Sequence, residues 1–317
     1  MFQLFKNRNF SDYISDTFSF FKETGKHFFT HYFIINGGFL LILSVLFYVV
    51  FKVYFEVLFS NIGSVNQDFG SMESYFNNNI GLIIGVVVVL IILILFVSLL
   101  NFTYPIIYLN LYDQNKGNSF TTSTILKEMK NNLGRLLGYF IKLFLISIPI
   151  FLVLGGIMVL LMFIIIGIPL LFIIMPAYLA WMNLSLYVYI NSKTGFLDAL
   201  SKGFQLMKEK FWPIVGSNLV MVVIVQIVLT ILTMIPYVIG MASIFTSDQM
   251  INNSDSEETF SFLGIVMAII FVFSILVNYV LNNIILINNG VIYYSLRENE
   301  ENNQQQSAID SIGSNHD

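Results

Sequence analysis

The sequence predicts an all-α fold, a polytopic membrane bundle of six transmembrane helices arranged as three hairpins. Composition is the first observation behind this prediction. Apolar residues make up 56% of the chain and charged residues only 11%, whereas ordinary soluble domains contain about 25% charged residues. So few charges cannot cover a surface that faces water, and we therefore expect lipid to surround much of the chain.

The stretch between Lys142 and Lys193 is the second observation. It runs for fifty residues without Asp, Glu, Lys, Arg or His. One bilayer crossing takes roughly 20 apolar residues, so we expect this stretch to cross the membrane twice, with a turn at Gly167-Ile168-Pro169.

Six apolar segments are long enough to be spans. They cover about 33–55, 80–108, 142–163, 169–191, 213–240 and 262–290. Residues 1–296 are accordingly predicted to form one integral membrane domain, and the polar, low-complexity residues 297–317 a disordered cytoplasmic tail. Residues 1–32 lack the pattern of a cleavable signal peptide, so we expect the first span to act as an uncleaved signal anchor.

Basic residues predict the orientation of the bundle. Most Lys and Arg residues flank the spans before the first segment, between the second and third, between the fourth and fifth, and after the sixth. The alternate loops, 60–79 and 241–261, contain acidic residues and no Lys or Arg. The positive-inside rule then puts both termini in the cytoplasm of a multi-pass protein, and the predicted location is the bacterial inner (plasma) membrane.

An internal repeat organises the chain. Residues 10–23 (FSDYISDTFSFFKE) align with 196–209 (FLDALSKGFQLMKE), and a fainter copy occupies 120–133. Apolar residues recur every three or four positions in each copy, which is the spacing of one helix face. Each copy precedes an odd-numbered span, so the predicted unit is a cytoplasmic amphipathic helix followed by a two-span hairpin.

These amphipathic helices are predicted to lie in the inner headgroup layer, with their Lys residues near anionic lipid. The interfacial helix faces carry Phe10, Ile14, Phe18, Phe196, Leu200 and Phe204. The alternative is that the same faces pack on the bundle or on a sister subunit, and the two arrangements can coexist.

Aromatic residues cluster at the expected cytoplasmic boundary, where Tyr and Trp side chains favour the membrane interface. The predicted inner belt consists of Phe28, Phe29, Tyr32, Tyr108, Tyr112, Tyr187, Tyr189, Trp212, Tyr293 and Tyr294. We interpret this cluster as a belt and not as a binding cage.

Asparagines inside the spans indicate a candidate polar pocket open to the cytoplasm. Its predicted residues are Asn101, Asn183, Asn218, Asn278 and Asn282. Buried amides need partners, so we expect these side chains to face each other or water. The alternative is hydrogen bonding between helices, worth on average only about 0.6 kcal/mol per contact.

Ionisable residues near the spans admit two further hypotheses. Lys52 and Glu56 are one helical turn apart and are predicted to form a structural ion pair, with a gating or proton-relay role as the alternative. Glu23, His27 and His31 share one helix face. Such groups can hold a metal, but no further ligand is evident, so we expect interfacial solvation or local pairing there.

Catalytic signatures are missing from the sequence. It contains no HExxH, GxSxG, Walker or dinucleotide-binding motif and no cysteine, so thiolate metal sites and cysteine catalysis are excluded. We predict no enzymatic activity, no cofactor, no metal and no nucleic-acid partner.

Two segments carry a resemblance to a known group of proteins. GFLDALSKGFQLMKEKFWPIVG (195–216) and, more weakly, NSFTTSTILKEMKNNLGRLLGYF (118–140) resemble segments of a broad group of uncharacterised six-span bacterial membrane proteins. That group includes the membrane domain attached to some glycerophosphoryl diester phosphodiesterases. The resemblance implies a membrane architecture over most of residues 10–296, and it offers no catalytic residues because the chain has no phosphodiesterase domain.

The leading functional hypothesis is a membrane scaffold or accessory protein without catalytic activity. The lipid bilayer is its principal expected partner, and a membrane-protein partner or a homo-oligomer stays open. The alternative is a transporter or permease-like protein whose substrate would enter the asparagine pocket. A third hypothesis, an enzyme acting on lipid, requires Lys52 and Glu56, or Glu23, His27 and His31, to converge on one cleft.

Overall fold

Long helices make up nearly all of the residues that the structure describes. The computed structural model describes residues 2–60, 69–162, 167–246 and 256–301. The helices in these ranges are α1 Phe10–Ser60, α2 Phe69–Gln114, α3 Thr122–Met162, α4 Gly167–Ser192, α5 Phe196–Glu209, α6 Phe211–Thr246 and α7 Ser256–Glu301. No strand occurs in them, and the predicted all-α class is confirmed.

Within the described residues, six helices are long and apolar enough to cross a membrane. The candidate spans are Phe10–Phe55, Asn77–Gln114, Thr122–Leu161, Pro169–Ser192, Phe211–Ala242 and Gly264–Glu300. Their large apolar side chains are often exposed, for example Leu152 at 73%. A soluble protein rarely exposes so much contiguous apolar surface, so the architecture is that of a multi-pass membrane protein.

The amphipathic segments take two forms. Residues 10–23 form the beginning of α1, and the fainter copy continues without a break into the span of α3. Only the third copy is a separate helix, α5, which ends at Glu209 and is followed by the C-cap residue Lys210 before α6 starts. Pro213 explains this break, because its ring nitrogen cannot donate to the carbonyl of residue 209. The missing N–H costs least in the first turn of a helix, which is where α6 places Pro213.

The predicted turn at Gly167-Ile168-Pro169 is corrected by the structure. These residues form the first turn of α4. Proline is compatible with a first helical turn for the same reason as Pro213, so it marks a helix start here. Residues 163–166, which precede it, lie outside the described ranges.

Packing divides the chain into two units. Unit 1 contains residues 1–35, 99–225 and 282–317, and unit 2 contains residues 36–98 and 226–281. Unit 2 is held by contacts such as the ring pair Phe39–Phe96, with centroids 5.0 Å apart.

Unit 1 holds the aromatic core. An antiparallel ladder joins the start of α1 to the end of α2 through the ring pairs Phe20–Tyr112 at 6.1 Å, Phe28–Tyr108 at 4.9 Å and Tyr32–Tyr104 at 5.5 Å. The rungs are four residues apart on α2, one helical turn. Edge-to-face contacts of this kind add about 0.5–1.5 kcal/mol each beyond the burial of their area.

The predicted inner aromatic belt is therefore largely wrong. Its residues are mostly core residues of unit 1, and the buried members are Phe28, Tyr32, Tyr108, Tyr112, Tyr187, Tyr189, Tyr293 and Tyr294. Trp212, at 68% exposed, is the member that remains on the surface as a belt residue would. Tyr104, in the same core, donates its hydroxyl proton to the Phe28 carbonyl at 2.6 Å.

Candidate functional site

Asn101 lies at the centre of one polar cluster in unit 1. Its side-chain oxygen accepts hydrogen bonds from the Tyr32 hydroxyl at 2.8 Å and from the Asn283 side-chain nitrogen at 3.2 Å. All three side chains are buried. Three helices, α1, α2 and α7, thus meet at one amide oxygen.

A second cluster joins α6 to α7. The Asn289 side-chain nitrogen donates to the Asn218 side-chain oxygen at 2.8 Å, and the Asn288 nitrogen donates to the Ser217 hydroxyl at 3.1 Å. The Thr17 hydroxyl of α1 lies 3.1 Å from the Asn288 side-chain oxygen. These side chains are buried as well, so the cluster fixes the mutual position of three helices.

The five predicted pocket asparagines lie in different surroundings. Asn101 and Asn218 belong to the two separate clusters, and the Asn183 nitrogen donates to the Leu179 carbonyl of its own helix at 2.8 Å. Asn282 is half-buried, and Asn278 is an exposed residue of unit 2. None of the five lines either of the two cavities described below. Asn101 and Asn218 form hydrogen bonds between helices, which is the alternative to a pocket that the sequence analysis left open.

We expect Asn101→Leu to destabilise the purified protein by about 1–3 kcal/mol, because the Tyr32 hydroxyl and the Asn283 amide would lose a buried acceptor. Asn278→Leu is the matched control, since it makes the same change at an exposed position. The measurement is the melting temperature in detergent. Equal melting temperatures for the two variants would contradict a structural role for Asn101.

A polar cavity of about 340 Å³ occurs elsewhere in unit 1. Its lining comes from α2, α3, α7 and the end of α4, and consists of Ile107, Asn110, Leu111, Asp113, Gln114, Glu128, Asn132, Ile190, Asn191, Lys193, Tyr294 and Arg297. Asn110 organises its wall, since it donates to Asn191 at 2.7 Å and accepts from the Tyr294 hydroxyl at 2.8 Å.

The charges around this polar cavity balance. Asp113 and Glu128 contribute two carboxylates, and Lys193 and Arg297 contribute two cations. The Arg297 guanidinium also lies over the Tyr293 ring, 5.9 Å from its centroid. Lys193 has a φ of 53°, in the left-handed region, just after α4 ends. The cavity thus combines fixed amides with charges of both signs, a lining suited to small polar solutes.

A second, mostly apolar cavity lies between α3 and the start of α5. It has a volume of about 680 Å³. Its lining consists of Lys142, Leu145, Ile146, Pro149, Gly195, Phe196, Leu197 and Asp198. We call it the α3–α5 groove. Sequence analysis missed it because its two walls are separated by more than forty residues.

The two histidines form a local chain of hydrogen bonds. His27 Nδ1 lies 2.8 Å from the Tyr108 hydroxyl, and His27 Nε2 lies 3.1 Å from the Phe120 carbonyl and 3.0 Å from His31 Nε2. His31 Nδ1 contacts the Thr122 hydroxyl at 2.5 Å. Because a carbonyl only accepts, we assign the His27 proton to Nε2, so that Nδ1 accepts from Tyr108.

These hydrogen bonds agree with the local pairing expected for His27 and His31. Among the residues that the structure describes, no three His, Asp or Glu side chains are grouped so as to hold a metal ion. The predicted ion pair between Lys52 and Glu56 stays a prediction, because the Glu56 side chain lies outside the described part of the chain.

The predicted interfacial faces differ between the copies. Phe10 and Phe18 are 41% and 42% exposed, and Ile14 between them is half-buried. In the third copy Phe204 is 45% exposed, but Phe196 and Leu200 are buried. The expected outer face is therefore corrected at these last two positions.

The packing of α5 explains the correction. The Phe196 ring lies 5.3 Å from the Tyr139 ring of α3, and the Leu200 carbonyl accepts a hydrogen bond from the Trp181 indole at 2.9 Å. Phe196 and Leu200 therefore pack on the helical bundle, which is the alternative to the headgroup layer that the sequence analysis left open.

The N-terminal segment, residues 2–9, precedes α1. It is anchored at Arg8, which is 1% exposed. The Arg8 guanidinium donates to the Asp16 carboxylate at 2.8 Å and to the backbone carbonyls of Leu4 at 2.6 Å and Gln3 at 2.5 Å. Burial lowers the pKa of Arg8 while the Asp16 hydrogen bond opposes that shift, and arginine stays protonated regardless.

Further contacts tie the N-terminal segment to other helices. The Arg8 backbone N–H donates to the Ser295 hydroxyl of α7 at 3.0 Å, and the Phe2 N–H donates to the Tyr112 hydroxyl of α2 at 3.0 Å. Lys210, between α5 and α6, donates to the Asn7 side chain at 3.0 Å. Burial lowers the pKa of Lys210. The segment therefore connects four parts of unit 1.

These features define a class of protein, a multi-pass helical membrane protein with a tightly bonded polar core in unit 1. Comparison with known proteins adds no narrower assignment. No protein-family model matches the chain, and neither the curated proteins nor the solved structures contain a significant match.

Proposed function

We propose that the protein is a membrane scaffold or accessory protein of the bacterial plasma membrane, without catalytic activity and with both termini in the cytoplasm. One observation carries the proposal: the buried amides of unit 1 bond to each other and to neighbouring hydroxyls, while Phe10 and Phe18 stay exposed on the first amphipathic segment. The polar interior then serves to fix the helices, and the surface is left for lipid or a membrane partner.

The transporter hypothesis receives less support. Its candidate pocket residues Asn101 and Asn218 are bonded to side chains of neighbouring helices. Hydrogen-bonded clusters such as Asn101 with Asn283 favour a fixed arrangement of helices over a passage. The expected resemblance to six-span bacterial membrane proteins agrees with either hypothesis.

Purification in mild detergent tests the scaffold proposal. We expect a stoichiometric protein or lipid partner to be retained by the wild-type chain, and Phe18→Asp to reduce that retention about tenfold, because burying a Phe side chain contributes about 1.5–3 kcal/mol. Ser19→Asp is the matched control, since it adds the same charge at the adjacent exposed position of α1.

Two outcomes would contradict the proposal. Purification of the wild-type chain without any stoichiometric partner would remove the basis for a scaffold. Equal loss in Phe18→Asp and Ser19→Asp would show that the added charge acts in general and that the exposed Phe18 face is not the contact surface.

A further inference from the structure

The α3–α5 groove has a graded lining. Lys142, Ile146 and Pro149 recur at intervals of four and three residues, so they lie along one face of α3, with Leu145 beside them. Lys142 is the charged end of this face, and the rest of it is apolar and belongs to the candidate span of α3. A membrane lipid has the same order of groups, a charged headgroup followed by hydrocarbon.

The other wall contributes a charge of opposite sign. Gly195 to Asp198 form the start of α5. The Lys142 ammonium lies over the Phe196 ring, 5.9 Å from its centroid. Within the described ranges, Lys142 and Asp198 form no ion pair with each other or with another side chain. Both charges at the groove are thus left to a ligand or to solvent.

The start of α5 differs from the matching start of α1 around its aspartate, Asp198. Its counterpart in the first copy is Asp12, whose carboxylate accepts from the Asn9 N–H at 3.0 Å, while the Asn9 side chain accepts from the Asp12 N–H at 3.1 Å. This reciprocal pair caps the start of α1. In the third copy the capping position is Gly195, which has no side chain, and the start of α5 has no side-chain cap.

We propose that the α3–α5 groove binds one zwitterionic phospholipid of the cytoplasmic leaflet whose headgroup carries a phosphate and a primary ammonium, as phosphatidylethanolamine does. Its phosphate bonds to Lys142, its ammonium donates to Asp198, and an acyl chain lies along Leu145, Ile146 and Pro149. This inference rests on the proposed function, because it names the lipid class that the membrane scaffold would hold.

The pair of charges determines the selectivity. A choline headgroup carries its positive charge on a nitrogen without N–H, so it cannot donate a hydrogen bond to Asp198. Phosphatidylglycerol has a phosphate for Lys142 but no cation, so the Asp198 carboxylate would repel it. The groove therefore prefers an ethanolamine headgroup over both alternatives.

Native mass spectrometry of the full chain in detergent tests the inference. The probes are phosphatidylethanolamine, phosphatidylcholine and phosphatidylglycerol with identical acyl chains, each added at the same concentration. We expect the ethanolamine lipid to form the dominant one-to-one adduct. Lys142→Gln should weaken that adduct about tenfold, the size expected for losing one charge-assisted hydrogen bond.

Asp198→Asn makes the sharper prediction. It should weaken the ethanolamine adduct and strengthen the phosphatidylglycerol adduct, which reverses their order. Lys208→Gln is the matched control, because Lys208 also lies on α5 with its ammonium 5.7 Å from the centroid of the Phe204 ring and does not line the groove. It should leave all three adducts unchanged.

Equal adducts of the three lipids with the wild-type chain would overturn the inference, because they would show lipid attachment without headgroup selection. An unchanged order in Asp198→Asn would overturn it as well. Neither result removes the scaffold proposal, which is tested separately by partner retention in Phe18→Asp. If Phe18→Asp retains its partners while the adducts behave as expected, lipid binding in the α3–α5 groove is supported and the Phe18 face is not the contact surface of the scaffold.

Discussion

Replacing Arg8 with Ala is expected to destabilise the protein by about 3 kcal/mol, the lower end of the range for breaking a buried, hydrogen-bonded charge pair. The Arg8 side chain is fully shielded from solvent, and its partner Asp16 is largely shielded. Without the guanidinium, the carbonyls of Gln3 and Leu4 also lose their donors. We therefore expect a melting temperature several degrees lower in detergent.

Lys6→Ala is the matched control for this change. The Lys6 ammonium contacts the same Asp16 oxygen at 3.0 Å, but its side chain is much more exposed. Exposed ion pairs contribute about 0–1 kcal/mol, so Lys6→Ala should melt close to the wild type.

Arg8→Lys sharpens the test, because a lysine keeps the charge but cannot reproduce the fork of donors that reaches Asp16 and two carbonyls. It should recover part of the lost stability. A wild-type melting temperature for Arg8→Ala would show that the N-terminal segment is held by its apolar contacts alone.

The importance of Arg8 could not be derived from the sequence. The positive-inside rule predicts basic residues before the first span, and such residues usually face water. Burial of Arg8 depends on the chain turning back so that backbone carbonyls meet the guanidinium. No composition or periodicity signal encodes that geometry.

Span prediction succeeded for a physical reason. Hydropathy is a local property, and the uncharged stretch between Lys142 and Lys193 contains enough apolar residues for two crossings without any knowledge of the packing. The structure places α3 and α4 there. The connection alone differs from the prediction, because proline fits a turn and the first turn of a helix equally well, and Pro169 lies in the first turn of α4.

The candidate site depends on non-local information. Asparagines in spans correctly indicated buried amides, as at Asn101 and Asn218. Their partners are set by helix packing between residues far apart in the chain, such as Asn101 and Asn283, which are separated by 182 positions. A pocket and a bonded cluster require the same residue types, so the sequence could not distinguish them.

Gly203→Ala is expected to be the most disruptive small substitution in α5. A Cβ atom at this position would lie 2.7 Å from the backbone nitrogen of Ser185 and 2.8 Å from its Cα. Both atoms belong to the backbone of α4 and cannot move aside as a flexible side chain would. Overpacking of this kind costs about 1–3 kcal/mol, and it outweighs the gain of up to about 1 kcal/mol from alanine's helix propensity.

Gly134→Ala is the matched control, because a Cβ atom at Gly134 of α3 would meet nothing within 4 Å. It should leave the melting temperature unchanged or raise it, while Gly203→Ala lowers it. If both variants melted alike, α4 and α5 would not be in close backbone contact.

The first copy of the repeat shows why this glycine matters. Thr17 occupies the position of Gly203 there, and its hydroxyl donates to the Tyr13 carbonyl at 2.7 Å and contacts Asn288 at 3.1 Å. The first segment thus leaves room for a side chain and uses it to bond α7, whereas α5 gives up the side chain to bring its backbone against α4. Gly203→Thr, which copies the residue of the first segment, should therefore be at least as damaging as Gly203→Ala in the same melting experiment.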